Sequence, residues 1–145
     1  MKKNWFVFLV ILIAISNVVN AQSDEALIKT TALNYLEGWY TADSVRMAEA
    51  LSPMLAKRGF LYANDKKTIE VHEASYSQMI TWTAMQTKKS LADISITVKI
   101  LEIGENIAMV RTETPDFVDY IHMGRLNGSW KIYNVVWEFK NESHK

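Results

Sequence analysis

The sequence predicts an α+β domain in which three N-terminal helices pack on a curved antiparallel β-sheet, and three observations carry that expectation. Apolar residues recur at helical spacing in the first half and switch to period two from Leu91 onward. An Asn127-Gly128 pair joins two alternating runs, Phe117 to Leu126 and Ser129 to Trp137, the pattern of a hairpin with a type I′ turn. No repeat, low-complexity tract or linker splits residues 22–145, so they read as one domain of a size able to bury a core.

The first 21 residues read as a secretory signal. Met1-Lys2-Lys3 is a basic start, Trp5 to Ile15 an apolar run, and Val19-Asn20-Ala21 a small-residue cleavage site, so cleavage is expected after Ala21. The run is shorter than the roughly 20 residues a spanning helix needs, so no membrane association is expected after cleavage. A periplasmic or extracellular location follows, and a chain without cysteine must be stable there without disulfides. Cleavage takes Lys2 and Lys3 from the 16 basic residues, leaving 14 against 16 acidic ones and a formal charge of −2. With its cations scattered, the chain lacks the basic stripe that nucleic-acid binding requires.

Asp24 to Tyr40 is expected to be the first helix, with Ile28, Ala32, Tyr35, Leu36 and Trp39 on one face. Asp43 or Ser44 caps a second, short helix that Ser52-Pro53 stops. Leu55 to Leu61 reads as a loop or short edge strand, in which Arg58 either lays its stem over the core or contacts an anion. Thr68 to His72 alternates as a short strand. Ser75-x-x-Gln78 has the form of a capping box and starts a third helix, about Tyr76 to Gln86, with Tyr76, Met79, Ile80 and Thr83 inward. Ile94, Ile96, Val98 and Ile100 share one face of a long strand, Gly104-Glu105-Asn106 turns, and Ile107 to Thr114 returns.

In the hairpin, pairing Leu126 with Ser129 puts Met123/Ile132, Ile121/Asn134 and Asp119/Val136 on one face. His122/Tyr133, Tyr120/Val135 and Val118/Trp137 then share the other, and a β-bulge would swap these faces. The second face is aromatic, which makes Tyr120, His122, Tyr133, Val135 and Trp137 candidates for a homodimer surface. On the first face Asp119 lies among aliphatic residues. Such a carboxylate acts as general base or anchor, pairs with Arg58 or Arg111, or meets water near the strand end. His72, His122 and His144 are scattered, so no metal site is expected. No phosphate loop, G-x-S-x-G elbow or thiol nucleophile occurs, and no cofactor is expected.

Three stretches together resemble a known family. Tyr35-x-x-Gly38-Trp39-Tyr40-x-x-Asp43, Pro53-x-Leu55-Ala56-Lys57-Arg58, and Asp119-Tyr120 followed by Gly128-x-Trp130-Lys131-Ile132-x-Asn134 and Trp137 resemble the "putative lumazine-binding" branch of the NTF2-like (SnoaL-like) superfamily. The resemblance implies a cone-shaped α+β fold with a pocket between helices and concave sheet, and often a dimer through the sheet. It leaves function open, since isomerases, dehydratases, cyclases and non-catalytic binders share this frame.

The expected function is binding of a small apolar or aromatic molecule in the cone. Tyr35, Trp39, Tyr76 and Trp130 are the expected walls, and Asp119, Arg58 and Asn134 the orienting polar groups. The alternatives are a cofactor-free isomerase, cyclase or dehydratase with Asp119 as general base and Tyr35 or His72 as proton donor, and an interaction module that pairs through the outer sheet face.

Overall fold

The computed structural model describes residues 22–140. The expected signal peptide, residues 1–21, and the tail holding His144 lie outside the described residues. Helix α1 (Asp24–Thr41) is capped by Ser23, whose Oγ accepts from the Ala26 N–H at 3.2 Å, and it buries Ile28, Ala32, Tyr35 and Leu36. Ala42 ends it in a left-handed conformation. Asp43 then caps α2 (Ser44–Ala50) by accepting from the Arg46 N–H at 2.9 Å. Strands β1 (Leu51–Tyr62) and β2 (Ile69–Ala74) follow. Helix α3 (Tyr76–Ala84) starts with the full capping box of Ser75 and Gln78. Strands β3 (Thr97–Ile103), β4 (Ile107–Glu113), β5 (Phe117–Leu126) and β6 (Ser129–Phe139) complete the chain.

All six strands form one sheet in the order β2-β1-β6-β5-β4-β3, with the helices on its inner face. Neighbours are antiparallel except β1 and β6, so the sheet is mixed rather than wholly antiparallel. The segment read as a loop or edge strand is instead β1, a twelve-residue strand bonded on both sides. Helix α2 stops at Ala50, ahead of Ser52-Pro53, and both of those residues lie inside β1. Pro53 is tolerated because it falls where the pairing of β1 with β6 shifts register, between Leu51 and Ala56, so its missing N–H removes no ladder bond. The long strand expected from Leu91 begins only at Thr97, after a 3₁₀ turn at Leu91–Asp93.

The β5–β6 hairpin turns at Asn127 (φ 51°) and Gly128 (φ 79°), both left-handed as a type I′ turn requires, and Leu126 faces Ser129. A bulge at Tyr133 then resets the register, so that Met123 still faces Ile132 but His122 faces Asn134, Ile121 faces Val135 and Asp119 faces Trp137. Everything in β6 beyond the bulge is therefore inverted relative to the unbulged expectation. Val135 and Trp137 point inward and leave the candidate dimer surface, while Asn134 and Val136 point outward and leave the cone. Trp137 leans across β1 at Gly59, where a Cβ would come within 2.7 Å of the indole, so only glycine admits the ring there.

Candidate functional site

A cavity of about 1080 Å³ lies between α1, α3 and the inner face of the sheet. One wall is a run of aromatic rings. Tyr40 stacks on Phe117 with centroids 6.0 Å apart, Phe117 meets Trp137 edge-on at 6.0 Å, and Trp137 meets Phe139 edge-on at 5.0 Å. Trp39 and Trp82 line it from the helices.

The polar end of the cavity is set by strand alternation. In β1 the inward residues are Leu55, Lys57 and Gly59, so a lysine enters the interior at a position flanked by core residues. Lys57 is only 7 % exposed, and its Nζ donates to the Tyr35 hydroxyl at 2.6 Å and to Asp119 Oδ1 at 3.2 Å. The Tyr35 hydroxyl in turn donates to Asp119 Oδ1 at 3.2 Å, and Thr112, the cross-strand neighbour of Asp119, donates to Oδ2 at 3.2 Å. The ammonium also sits 4.7 Å from the Trp137 ring centroid. Burial pushes the Lys57 amine below its usual value, with Asp119 pulling the other way. Burial pushes the Tyr35 phenol well above its usual value, and the Asp119 charge adds to that.

The candidate residues sort into different places. Tyr35 and Trp39 line the cavity as expected. Asp119 lies behind the lining, fully buried with both oxygens bonded to protein donors, and Lys57 and Tyr35 stand between it and the cavity. Its partner is Lys57 rather than Arg58 or Arg111. Arg58 faces outward and pairs with Glu73 at 2.8 Å, and Arg111 pairs with Glu113 at 2.8 Å. Tyr76 packs against the core, and His72 lines the cavity as an exposed residue beside Glu70. Trp130 lies away from the cavity, its Nε1 donating to Asp24 Oδ1 at 3.0 Å. Asn134 is exposed on the opposite sheet face. Lys57 is the candidate site residue that sequence reasoning did not assign; the signal for it was the alternation Leu55, Lys57, Gly59 inside a strand.

A cone of three helices on a six-stranded mixed sheet, with an aromatic cavity between them, is the NTF2-like fold. Over residues 23–138 the sequence matches the family described as "Putative lumazine-binding", and the chain belongs to that family. Among solved structures it is similar to an NTF2-like protein of unknown function from Shewanella baltica OS155, at 19 % identity and TM-score 0.67, covering 79 % of this chain and 91 % of that one. It is likewise similar to an NTF2-like protein from Silicibacter pomeroyi DSS-3, at 16 % identity and TM-score 0.67, covering 80 % and 95 % of the two chains. A third relative in fold is a ketosteroid isomerase-like protein from Erwinia carotovora atroseptica SCRI1043, at 12 % identity and TM-score 0.57, covering 81 % and 97 %. No curated protein matches the sequence.

Two predictions follow from the buried cluster. Asp119→Ala strands a buried ammonium and is expected to cost about 3–5 kcal/mol. Replacing both charges, as in Lys57→Met with Asp119→Leu, is expected to recover most of that loss in urea melts, and a double variant less stable than either single one would contradict the ion pair. The second concerns alkali. Above the ordinary tyrosine value of 10.0 the unfolded chain gives up a phenolic proton that folded Tyr35 keeps, so its contribution to stability is intact below that pH and declines as pH rises past it. Stability of the wild type and of Tyr35→Phe, measured between about pH 9 and 11, is expected to fall less steeply in the variant.

Proposed function

We propose that this chain is an exported protein, cleaved after Ala21 and resident in the periplasm or outside the cell, that binds a small aromatic or apolar molecule in its cone. The observation that carries this reading is the cavity itself. It has the upper range of volume for a small-molecule site, aromatic walls from Tyr35, Trp39, Tyr40, Phe117 and Trp137, and a single buried cation at its polar end. The family description directs the first choice of ligand to fused heteroaromatic compounds of the lumazine type. Lys57 takes over the orienting role expected of Arg58 and Asn134. Asp119 supports it from behind, which favours binding over a general base that meets the ligand directly.

The test is the melting temperature of residues 22–145 against lumazines, flavin precursors, steroids and aromatic polyketides. A compound at 100 times its dissociation constant is expected to stabilise by about 2.7 kcal/mol, with the shift reduced in Trp39→Ala. A panel in which nothing shifts the wild type removes the support for this reading.

The outer sheet face favours self-association. Met109, Tyr120 and Val136, on the neighbouring strands β4, β5 and β6, are 42 %, 52 % and 45 % exposed, with His122 and Tyr133 on the same face. Sedimentation is expected to give a dimer that Met109→Glu shifts to monomer, because a carboxylate buried in that face beside Glu102 meets a like charge. A wild-type monomer at high concentration would contradict it.

A further inference from the structure

One of the residues lining the cavity carries a buried primary amine. Lys57 is nearly sealed from water, and two of the three positions on its Nζ are committed, one to the Tyr35 hydroxyl at 2.6 Å and one to Asp119 Oδ1 at 3.2 Å. The third position is left, on an atom of a residue that lines the cavity. Among the described residues the other lysines of the cavity wall, Lys66 and Lys89, are exposed.

From this geometry we infer that Lys57 captures aldehydes that enter the cone, forming a covalent imine with its Nζ. The inference rests on the cavity being a small-molecule site. A buried amine beside a carboxylate has a route to its reactive form that changes no net charge. One proton passes from Nζ to Asp119 Oδ1, converting the ion pair into a neutral pair, which a buried site favours more than bulk solvent does. Desolvation acts in the same direction on the amine. The freed lone pair attacks the aldehyde carbon, and one of the two protons left on the nitrogen passes to the carbonyl oxygen to give the carbinolamine. Asp119 then returns its proton to the hydroxyl as water leaves. Lys57 begins as an ammonium with three protons and ends as an iminium with one, the other two departing in the water. The cation stays at the same atom, so Asp119 is its counterion before and after. The Trp137 face, 4.7 Å from Nζ, meets the same positive charge in both states. Tyr35, bonded to both partners, holds the amine and the carboxylate in register.

Naphthaldehyde is a probe whose ring suits the aromatic walls, and naphthylmethanol is its unreactive counterpart. The protein is incubated with the aldehyde and cyanoborohydride near neutral pH, and the reduced adducts are located by peptide mass mapping. In parallel the alcohol is scored by thermal shift. The expected result is a dominant single adduct on Lys57, formed about tenfold or more faster than on the exposed Lys29 and Lys99, with the alcohol also raising the melting temperature. Lys57→Arg, which keeps the cation beside Asp119, is expected to lose that adduct. Adducts spread over exposed lysines with Lys57 unmodified, in a protein that the alcohol still stabilises, overturn the imine and leave the binding site standing. If neither compound binds, the cavity reading for aromatic molecules falls and the imine with it. Because the map is read on the wild type, a variant that fails to fold does not blur the outcome.

Discussion

The contact on which the structure depends is the buried bridge from Lys57 to Asp119. It joins β1 to β5 across β6, Thr112 extends it to β4, and Tyr35 brings α1 down onto it. A charge removed from water costs several kcal/mol unless it is paired and its remaining hydrogen-bonding capacity filled. Here the carboxylate accepts three bonds, and among the described residues no buried side-chain nitrogen or oxygen lacks a partner. Interlocked apolar side chains fix the helix against the sheet by shape. The polar cluster adds donors and acceptors with fixed directions where helix and sheet meet at the edge of the cavity.

The opposite end of α1 is fastened by different means. Asp24, in the first turn, accepts two bonds from Arg125 at 2.9 and 2.8 Å and one from the Trp130 indole at 3.0 Å, all reaching it from the β5–β6 hairpin. An acidic residue in a first turn is favourable beside the helix dipole, and Arg125 Nη1 bridges both of its oxygens while Nη2 donates to the Glu105 carbonyl at 2.6 Å. The helix is therefore held at both ends while its middle buries Ile28 and Ala32, and the Tyr35–Trp39 end is free to form cavity wall. This explains why Trp130, conspicuous in the sequence, contributes to the fold rather than to the cavity.

Much of the fold was legible because it rests on local rules. The Ser75–Gln78 capping box, the Asp43 cap and the Asn127-Gly128 turn each identify an element boundary from two or three neighbouring residues. The inward set of β5, from Asp119 to Met123, needs only strict alternation. What was not legible rests on pairing between distant strands. Strand β1 contains a proline and reads as irregular until β6 is placed beside it, and without that strand the inward face of Lys57 has no meaning. Attention then falls on Arg58, its neighbour on the opposite face. The bulge at Tyr133 is likewise a property of two strands: nothing in Ile132-Tyr133-Asn134 taken alone breaks alternation. Asp119 was found correctly as a buried acid, but its partner comes from β1 and could not be named before β1 was.

The bulge at Tyr133 works like a one-letter insertion in a reading frame. Upstream of it β6 is read in one phase, and downstream in the other, so Trp137 enters the aromatic wall over Gly59 and Asn134 is turned out. The contents of the cavity are thus written by the length of a strand as much as by its residues. Relatives could exchange the inner and outer sets of half a strand by gaining or losing one residue, without altering a single side chain in either set.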